Sequence, residues 1–231
     1  YGTRNVTIVE VMGRNAGWLT GAAALAKAED CEGVDMICLP EVAFDIDHFI
    51  ERLDVLQRAK AGVVIAVSEG VRVHDGRYVC ELTEELGPVD AFGHKTLTGA
   101  ARFLANKAVR ELGCKARAIE LSTLQRCAGH LASRTDISEA YRAGGAAVQA
   151  ALEGRTGCMA ALKRLSDQPY LCGTELVDVQ KVANAEKTVP LEWIEPDGMH
   201  VNAAFEAYAR PLIQGELTPM FVNGVPRHIT L

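Results

Sequence analysis

The chain has 231 residues, a length that fits one elaborated domain or two intimate lobes. Apolar residues make up 48% and charged residues 23%, and no run approaches the ~20 apolar residues that span a bilayer, which excludes disordered and membrane-embedded classes. With 24 Lys and Arg against 30 Asp and Glu the net charge is −6, which repels polyanions, so no nucleic-acid partner is expected and any anion site must be local.

In chain order, Val6–Val11, Met36–Leu39, Val63–Val67 and Arg117–Leu121 are short apolar, β-branched runs bounded by turn or polar residues, and they read as buried strands. Segments of helical length lie between the first three, over 16–30 and 45–60; the second opens with Asp45 as N-cap and with Phe44 and Phe49 at staple spacing. The resulting βαβαβ order predicts a parallel sheet with helices on both faces, because right-handed crossovers carry the chain back across the sheet. After Val67 the pattern loosens through Asp75-Gly76-Arg77, Leu86-Gly87-Pro88 and Phe92-Gly93, which reads as an inserted hairpin. A helix follows over 95–112, ending at Gly113, and an amphipathic stretch over 136–152 ends at Gly154. Gly154–Gly157 is a tight turn into another short strand or helix. From about 186 the texture changes: five of the eight prolines fall here, in a tail that wraps or oligomerises. The chain opens at Tyr1, two residues before strand-like sequence, which leads us to expect a piece of something longer.

The seven cysteines form an odd set with no Cys-x-x-Cys pair, as reduced thiols in a cytoplasm would. No His-x-x-x-His spacing argues for a structural metal. Ser122, Ser133 and Cys127 lack a Gly-x-Ser-x-Gly setting, and Cys127 reads as a small packed thiol.

Three constellations can carry chemistry. In Val9-Glu10-Val11-Met12-Gly13-Arg14-Asn15-Ala16-Gly17-Trp18 a strand ends at a Gly-Arg turn leading into a helix. Gly13 lets a ligand approach the backbone, Arg14 can fork onto phosphate oxygens, and the helix start adds amides; equally, both glycines can serve packing alone. Glu69, at the end of the third strand, can accept sugar hydroxyls or cap a helix; Pro40-Glu41 occupies the same kind of position after the second. Around the fourth strand stand Arg117 and Arg126. If the chain between them is extended, ~3.3 Å per residue separates them by roughly 20 Å or more, so they do not serve one phosphate within one subunit.

Together and in this order, Val9–Trp18, Leu39-Pro40-Glu41, Val67-Ser68-Glu69 and Leu124-Gln125-Arg126 resemble the phosphofructokinase family over nearly the whole chain. The resemblance implies an α/β, three-layer parallel-sheet phosphofructokinase-like fold, incomplete because the N-terminal donor-binding lobe, with its Gly-Gly-Asp loop and Thr-Ile-Asp-Asn-Asp box, lies upstream of Tyr1. It divides the chain into a sugar-phosphate-binding α/β lobe over 1–124, a helical segment over 125–185 returning to the missing lobe, and a C-terminal extension over 186–231. The segment that returns should present a sticky surface or self-associate.

On the same resemblance fructose 6-phosphate is held by Met12, Gly13 and Arg14, by Glu69 on its hydroxyls and by Arg126 on its phosphate, with Arg117 donated by another subunit. Thr123 stands where the family usually has an aromatic residue or histidine. A further family arginine falls on Asn5, with Arg4 one place off. Arg14 stabilises charge on the transferred group, whereas the general base and the Mg2+ contacts belong to the missing lobe. Gln125-Arg126-Cys127-Ala128 through Ser133, Thr135 and Asp136, followed by Asp178–Lys187, resembles the pyrophosphate-using branch. The implied activity is glycolytic phosphorylation of fructose 6-phosphate by a cytoplasmic homodimer or homotetramer, the piece alone being inactive. An ATP-dependent enzyme and a non-catalytic sugar-phosphate-binding regulatory subunit are the alternatives.

Overall fold

A computed structural model describes residues 4–82 and 99–227. The expected inserted hairpin, with Leu86-Gly87-Pro88 and Phe92-Gly93, and positions 95–98 of the expected third helix fall outside these residues. The chain forms two compact units, one of residues 1–126 and 187–206, the other of 127–186 and 207–231.

The first unit is built on β1 (Asn5–Val11), β2 (Met36–Cys38), β3 (Gly62–Ser68) and β4 (Lys115–Glu120), in the order β2-β3-β1-β4 and parallel throughout. Period-two alternation decides what each strand buries. Val6 and Ile8 of β1 and Val63, Ile65 and Val67 of β3 turn into one core with Met36 and Cys38. Helices α2 (Ile46–Ala59) and α3 (Ala100–Leu112) supply Phe49, Leu53, Leu104 and Ala108 to the same core. On the other face of the sheet α1 (Trp18–Gly21) packs on β2 and β3. Helix α2 starts where Asp45 accepts from the Asp47 and His48 amides at 3.0 Å, with the Phe44 and Phe49 rings 5.4 Å apart. Helix α3 ends at Gly113 in the left-handed region (φ 61°).

The first expected helix, 16–30, is much shorter: α1 passes into a 3-10 turn over Ala22–Ala26, and Ala28 then bridges Cys31. Four of the six residues over Lys27–Glu32 are charged, so a continuing helix has little apolar face to bury there.

Tail residues 187–206 belong to this unit, with Val189, Ile194, Met199, Val201 and Phe205 buried, and the Ile37 amide of β2 donates to the Met199 carbonyl at 2.7 Å. A Cβ on Gly21 would lie 2.5 Å from the Phe205 ring, so the tail sits directly on the α1 segment.

The short helix α4 (Ser122–Arg126) closes the first stretch of unit one. In the second unit α5 (Arg134–Leu152) begins at Ser133, whose hydroxyl accepts from the Asp136 amide at 3.0 Å. Strands β5 (Cys158–Asp167) and β6 (Tyr170–Asp178) follow as an antiparallel hairpin bulged between Arg164 and Ser166, then α6 (Val179–Val182). The expectation of a helical segment across 125–185 is corrected here. Gly157, Pro169 and Gly173 all disfavour a helix across this stretch, and the chain pairs as two strands instead. Arg164 lies between the Tyr170 and Tyr208 rings, 4.9 and 4.5 Å from their centroids, and pairs with Asp167 at 2.6 Å. Helix α7 (Ala203–Ala209) and a minimal hairpin, β7 (Phe221–Val222) with β8 (Val225–Pro226), complete the elements. Ile137, Tyr141, Val148 and Leu152 form an exposed apolar stripe on α5, Tyr141 being 83% exposed.

Candidate functional site

Because the four strands run parallel, β1, β3 and β4 deliver their carboxyl ends to one rim, where Met12, Gly13 and Arg14 meet Ser68, Glu69 and Gly70. The Glu69 amide donates to the Val11 carbonyl (3.0 Å), and the Gly13 amide donates to Glu69 Oε1 (3.2 Å). The Ser68 hydroxyl, itself buried, donates to the Gly13 carbonyl (2.5 Å) and accepts from the Gly70 amide (3.0 Å). Two glycines are obligatory in this clasp. Gly13 adopts φ 144°, and a Cβ there would lie 2.8 Å from the Ala16 carbonyl oxygen. At Gly70 a Cβ would lie 1.7 Å from the Arg14 carbonyl oxygen. Arg14 therefore leaves the rim from a backbone pinned on both sides. Beyond it, Arg72 donates to Asn15 Oδ1 at 3.4 Å and stacks on Tyr78, 4.2 Å from the ring centroid.

The fourth strand reaches the same rim differently. The Leu121 amide donates to the Glu10 carbonyl (3.2 Å), Ser122 takes φ 43°, and α4 follows at once. Gln125 Oε1 accepts from the Met12 amide at 3.0 Å, a tie between residues 113 apart in sequence. Gln125 is a site residue that spacing alone does not reveal, since its partner is a main-chain amide on another strand. Thr123 and Arg126 stand exposed on the same helix.

Arg117 is not brought to this group. It pairs with Thr7 in the β1–β4 register and is exposed; Met12 lies five residues beyond Thr7, about 16 Å up the strand at ~3.3 Å per residue. The extended path assumed between Arg117 and Arg126 is corrected, because the turn at Ser122 and the ~1.5 Å rise of a helix shorten it. Asn5 begins β1 opposite Lys115 and Gly62, far from the rim, and Arg4 precedes it.

Two carboxylates near the rim are occupied with backbone. Glu10, 4% exposed, accepts from the Gly99 amide (3.2 Å) and the Ala101 amide (2.9 Å), capping α3 from the sheet. Burial raises its pKa above the ordinary 4.5, against the lowering effect of those two amides; Glu120 and Glu69 push it further up. Glu41, the other edge carboxylate read from sequence, turns inward: its Oε1 accepts from the Gly17 amide (2.8 Å) and the Val189 amide (2.9 Å). Burial pushes the Cys38 and Cys80 thiols up to about 12 and about 11, which keeps them protonated and unreactive. Cys127 is exposed, not packed as its sequence context suggests.

Among the described residues no group of three or more His, Cys, Asp or Glu side chains could hold a metal ion, and no helix is long and apolar enough to cross a membrane. A separate cavity of about 490 Å³, bordered by Phe44, Asp47, His74, Arg77, Leu82 and Lys107, contains none of the rim residues.

The rim can present guanidinium and carboxylate groups to a small anionic, hydroxylated ligand. The phosphofructokinase family profile matches residues 1–151. Pyrophosphate–fructose 6-phosphate 1-phosphotransferase of Methylococcus capsulatus is 41% identical over 98% of this chain and 53% of its own length. The enzyme of the same name from Halomonas elongata is 40% identical over 96% of this chain and 52% of its own. The crystal structure of pyrophosphate-dependent phosphofructokinase from Marinobacter aquaeolei superposes with TM-score 0.81 at 34% identity, covering 97% of this chain and 52% of that one. The chain thus spans about half the length of the relatives it matches. Its parallel sheet, its Met-Gly-Arg turn and the agreement over 151 residues together establish that the chain belongs to the phosphofructokinase family.

Proposed function

We propose that this chain forms the fructose-6-phosphate site of a 6-phosphofructokinase that takes its phosphoryl group from pyrophosphate. What carries the reading is the clasp at the rim: Gly13 bound to Glu69, with Met12 tied through Gln125 to the helix that bears Arg126. Two strand ends and one helix thereby present Arg14, Glu69 and Arg126 on one edge of the sheet. The names of the high-coverage relatives support pyrophosphate as the donor.

In this reading Met12, Gly13 and Arg14 line the sugar, Glu69 accepts its hydroxyls, and Thr123 and Arg126 face the 6-phosphate. Phosphoryl transfer asks for position and charge neutralisation more than covalent work, so Arg14 stabilises charge gathering on the transferred group. The remote phosphate contacts contribute binding energy that orients the reacting hydroxyl. Mg2+ supplies further charge neutralisation when bound with the donor, and no residue of this chain is assigned to it. Arg117 lies too far down its strand for its own rim, which suits donation to a neighbouring subunit of a homodimer or homotetramer. Residues 125–185 return toward the family's other lobe, with the α5 stripe as their contact face. The setting is glycolytic and cytoplasmic.

Steady-state kinetics of the full-length protein carrying this chain test the assignment. Arg14→Ala lowers turnover by about 10²–10³-fold, as removal of a transition-state donor does. Arg126→Ala chiefly raises the half-saturating fructose 6-phosphate concentration, by roughly 10–100-fold for the loss of charge-assisted bonds. The opposite partition, or calorimetric titration without fructose 6-phosphate binding, overturns the reading.

A further inference from the structure

The tail segment 187–206 meets the rim loop through one side chain. Glu41 Oε1 receives two main-chain amides from opposite directions, Gly17 at the end of the Met-Gly-Arg loop and Val189 at the start of the tail. Its other oxygen, Oε2, is buried without a hydrogen-bond partner among the described residues. An enclosed, unsatisfied carboxylate oxygen opposes folding, so the carboxylate is retained here at an energetic cost. Gly17 is shaped to this arrangement: a Cβ there would lie 2.7 Å from Oε2 and 2.8 Å from Leu39 Cδ2.

A second set of contacts joins the same two segments. The Trp18 indole donates to the Lys187 carbonyl at 2.6 Å, and the Lys187 ammonium lies 5.9 Å from the indole centroid. Trp18 stacks on Phe205, with centroids 5.9 Å apart, and meets Trp193 edge-on at 6.1 Å. The tail is fastened in turn to the edge of the sheet, through the Ile37 amide and the Met199 carbonyl at 2.7 Å. The loop bearing Arg14 is thus closed on its strand side by the Ser68–Gly70 clasp and on its downstream side by Glu41 and the tail.

We propose that Glu41 is a positioning residue: it fastens the tail to the downstream end of the Gly13–Trp18 loop and so fixes the backbone from which Arg14 projects. The inference rests on the reading of the rim as the sugar-phosphate site. It gives the tail a role in the reaction without contact with substrate, and it removes Glu41 from the carboxylates available to a sugar hydroxyl.

Hydrogen exchange and kinetics on the full-length protein test this together. In Glu41→Ala the amides of 12–18 and of 187–191 lose protection as one unit, with exchange about tenfold faster or more, as expected when two bonds to a charged acceptor are lost. Turnover falls more than half-saturation rises, because Arg14 is the group displaced. Glu41→Gln keeps an acceptor oxygen and restores most of both losses. Should Glu41→Ala fail to fold, Trp18→Phe keeps an aromatic ring beside Phe205 but removes the indole donor and part of the ring contact, and loosens the same two segments together by about threefold or more. The proposal is overturned if 12–18 stays protected while 187–191 opens, or if Glu41→Gln exchanges as fast as Glu41→Ala. Loss of the functional reading is separately visible: wild-type protein that does not bind fructose 6-phosphate removes the substrate, while the exchange pattern still decides whether Glu41 couples loop and tail.

Discussion

The two sides of the rim are held by unequal means. On the β1–β3 side, hydrogen bonds among Val11, Gly13, Ser68, Glu69 and Gly70 lock two adjacent loops, and Ser68 and Gly70 are buried. On the β4–α4 side a five-residue helix leaves a left-handed Ser122 and reaches back through a bond from the Met12 amide to the Gln125 side chain, with Thr123, Leu124 and Arg126 exposed. Buried, mutually supporting bonds resist local opening, whereas a short exposed helix sits at the low end of local stability. Under the proposed function, the contrast fits a division of labour in which Arg14, assigned to the transferred group, is fixed beforehand and Arg126, assigned to the distant phosphate, can adjust.

The largest effect belongs to the rigid side. Gly70→Ala forces a Cβ to within 1.7 Å of the Arg14 carbonyl, and since backbone cannot yield as a side chain can, one loop must leave the other. The expected cost is ~3 kcal/mol or more in denaturant unfolding, with activity of the full-length protein lost. A Gly70→Ala protein of wild-type stability and turnover would show that the clasp is not rigid and would erase the contrast.

Gln125→Ala probes the flexible side. It removes the acceptor of the Met12 amide, and the amide can turn to water at this part-buried position, so stability falls by only about 1 kcal/mol. Half-saturation should rise about fivefold because α4 and Arg126 lose their register, with turnover nearly kept. If Gln125→Ala instead depresses turnover as strongly as Arg14→Ala, the two sides act as one body.

Legibility in the sequence follows the same division. The strands announced themselves through Val, Ile and Ala runs, and α2 through Asp45 with its flanking phenylalanines, because these signals are local and period-bound. The clasp was half legible: Gly13, Arg14 and Glu69 stand at strand ends, where edge chemistry is expected, but Ser68 and Gly70 act by touching Gly13 and Arg14 from 55 or more positions away. The bond from the Met12 amide to Gln125 and the inward turn of Glu41 were hidden for the same reason, since both side chains bond main-chain amides, which have no letter of their own. The β5–β6 hairpin was obscured because Lys163, Arg164 and Glu175 interrupt its apolar alternation, and the strand signal depends on that alternation.

The smallest effect separates burial from hydrogen bonding beneath the rim. Glu10 lies in the central strand, where it caps α3 through the Gly99 and Ala101 amides, yet burial and the nearby Glu120 and Glu69 leave its pKa above 4.5. In the unfolded chain the group ionises near 4.5; in the fold it holds its proton to higher pH. The stability that follows from the raised value is fully present below 4.5 and is lost as pH rises through the folded value, because the unfolded chain then binds fewer protons than the native one. Glu10→Gln keeps an acceptor for the α3 amides and has no proton to release. Urea unfolding of both proteins from about pH 4 to about pH 7 should therefore show the wild type losing stability relative to Glu10→Gln as pH rises. A difference that grows the other way would mean that the two amides outweigh desolvation, and that the central strand, like the clasp above it, is organised around a charge it fully stabilises.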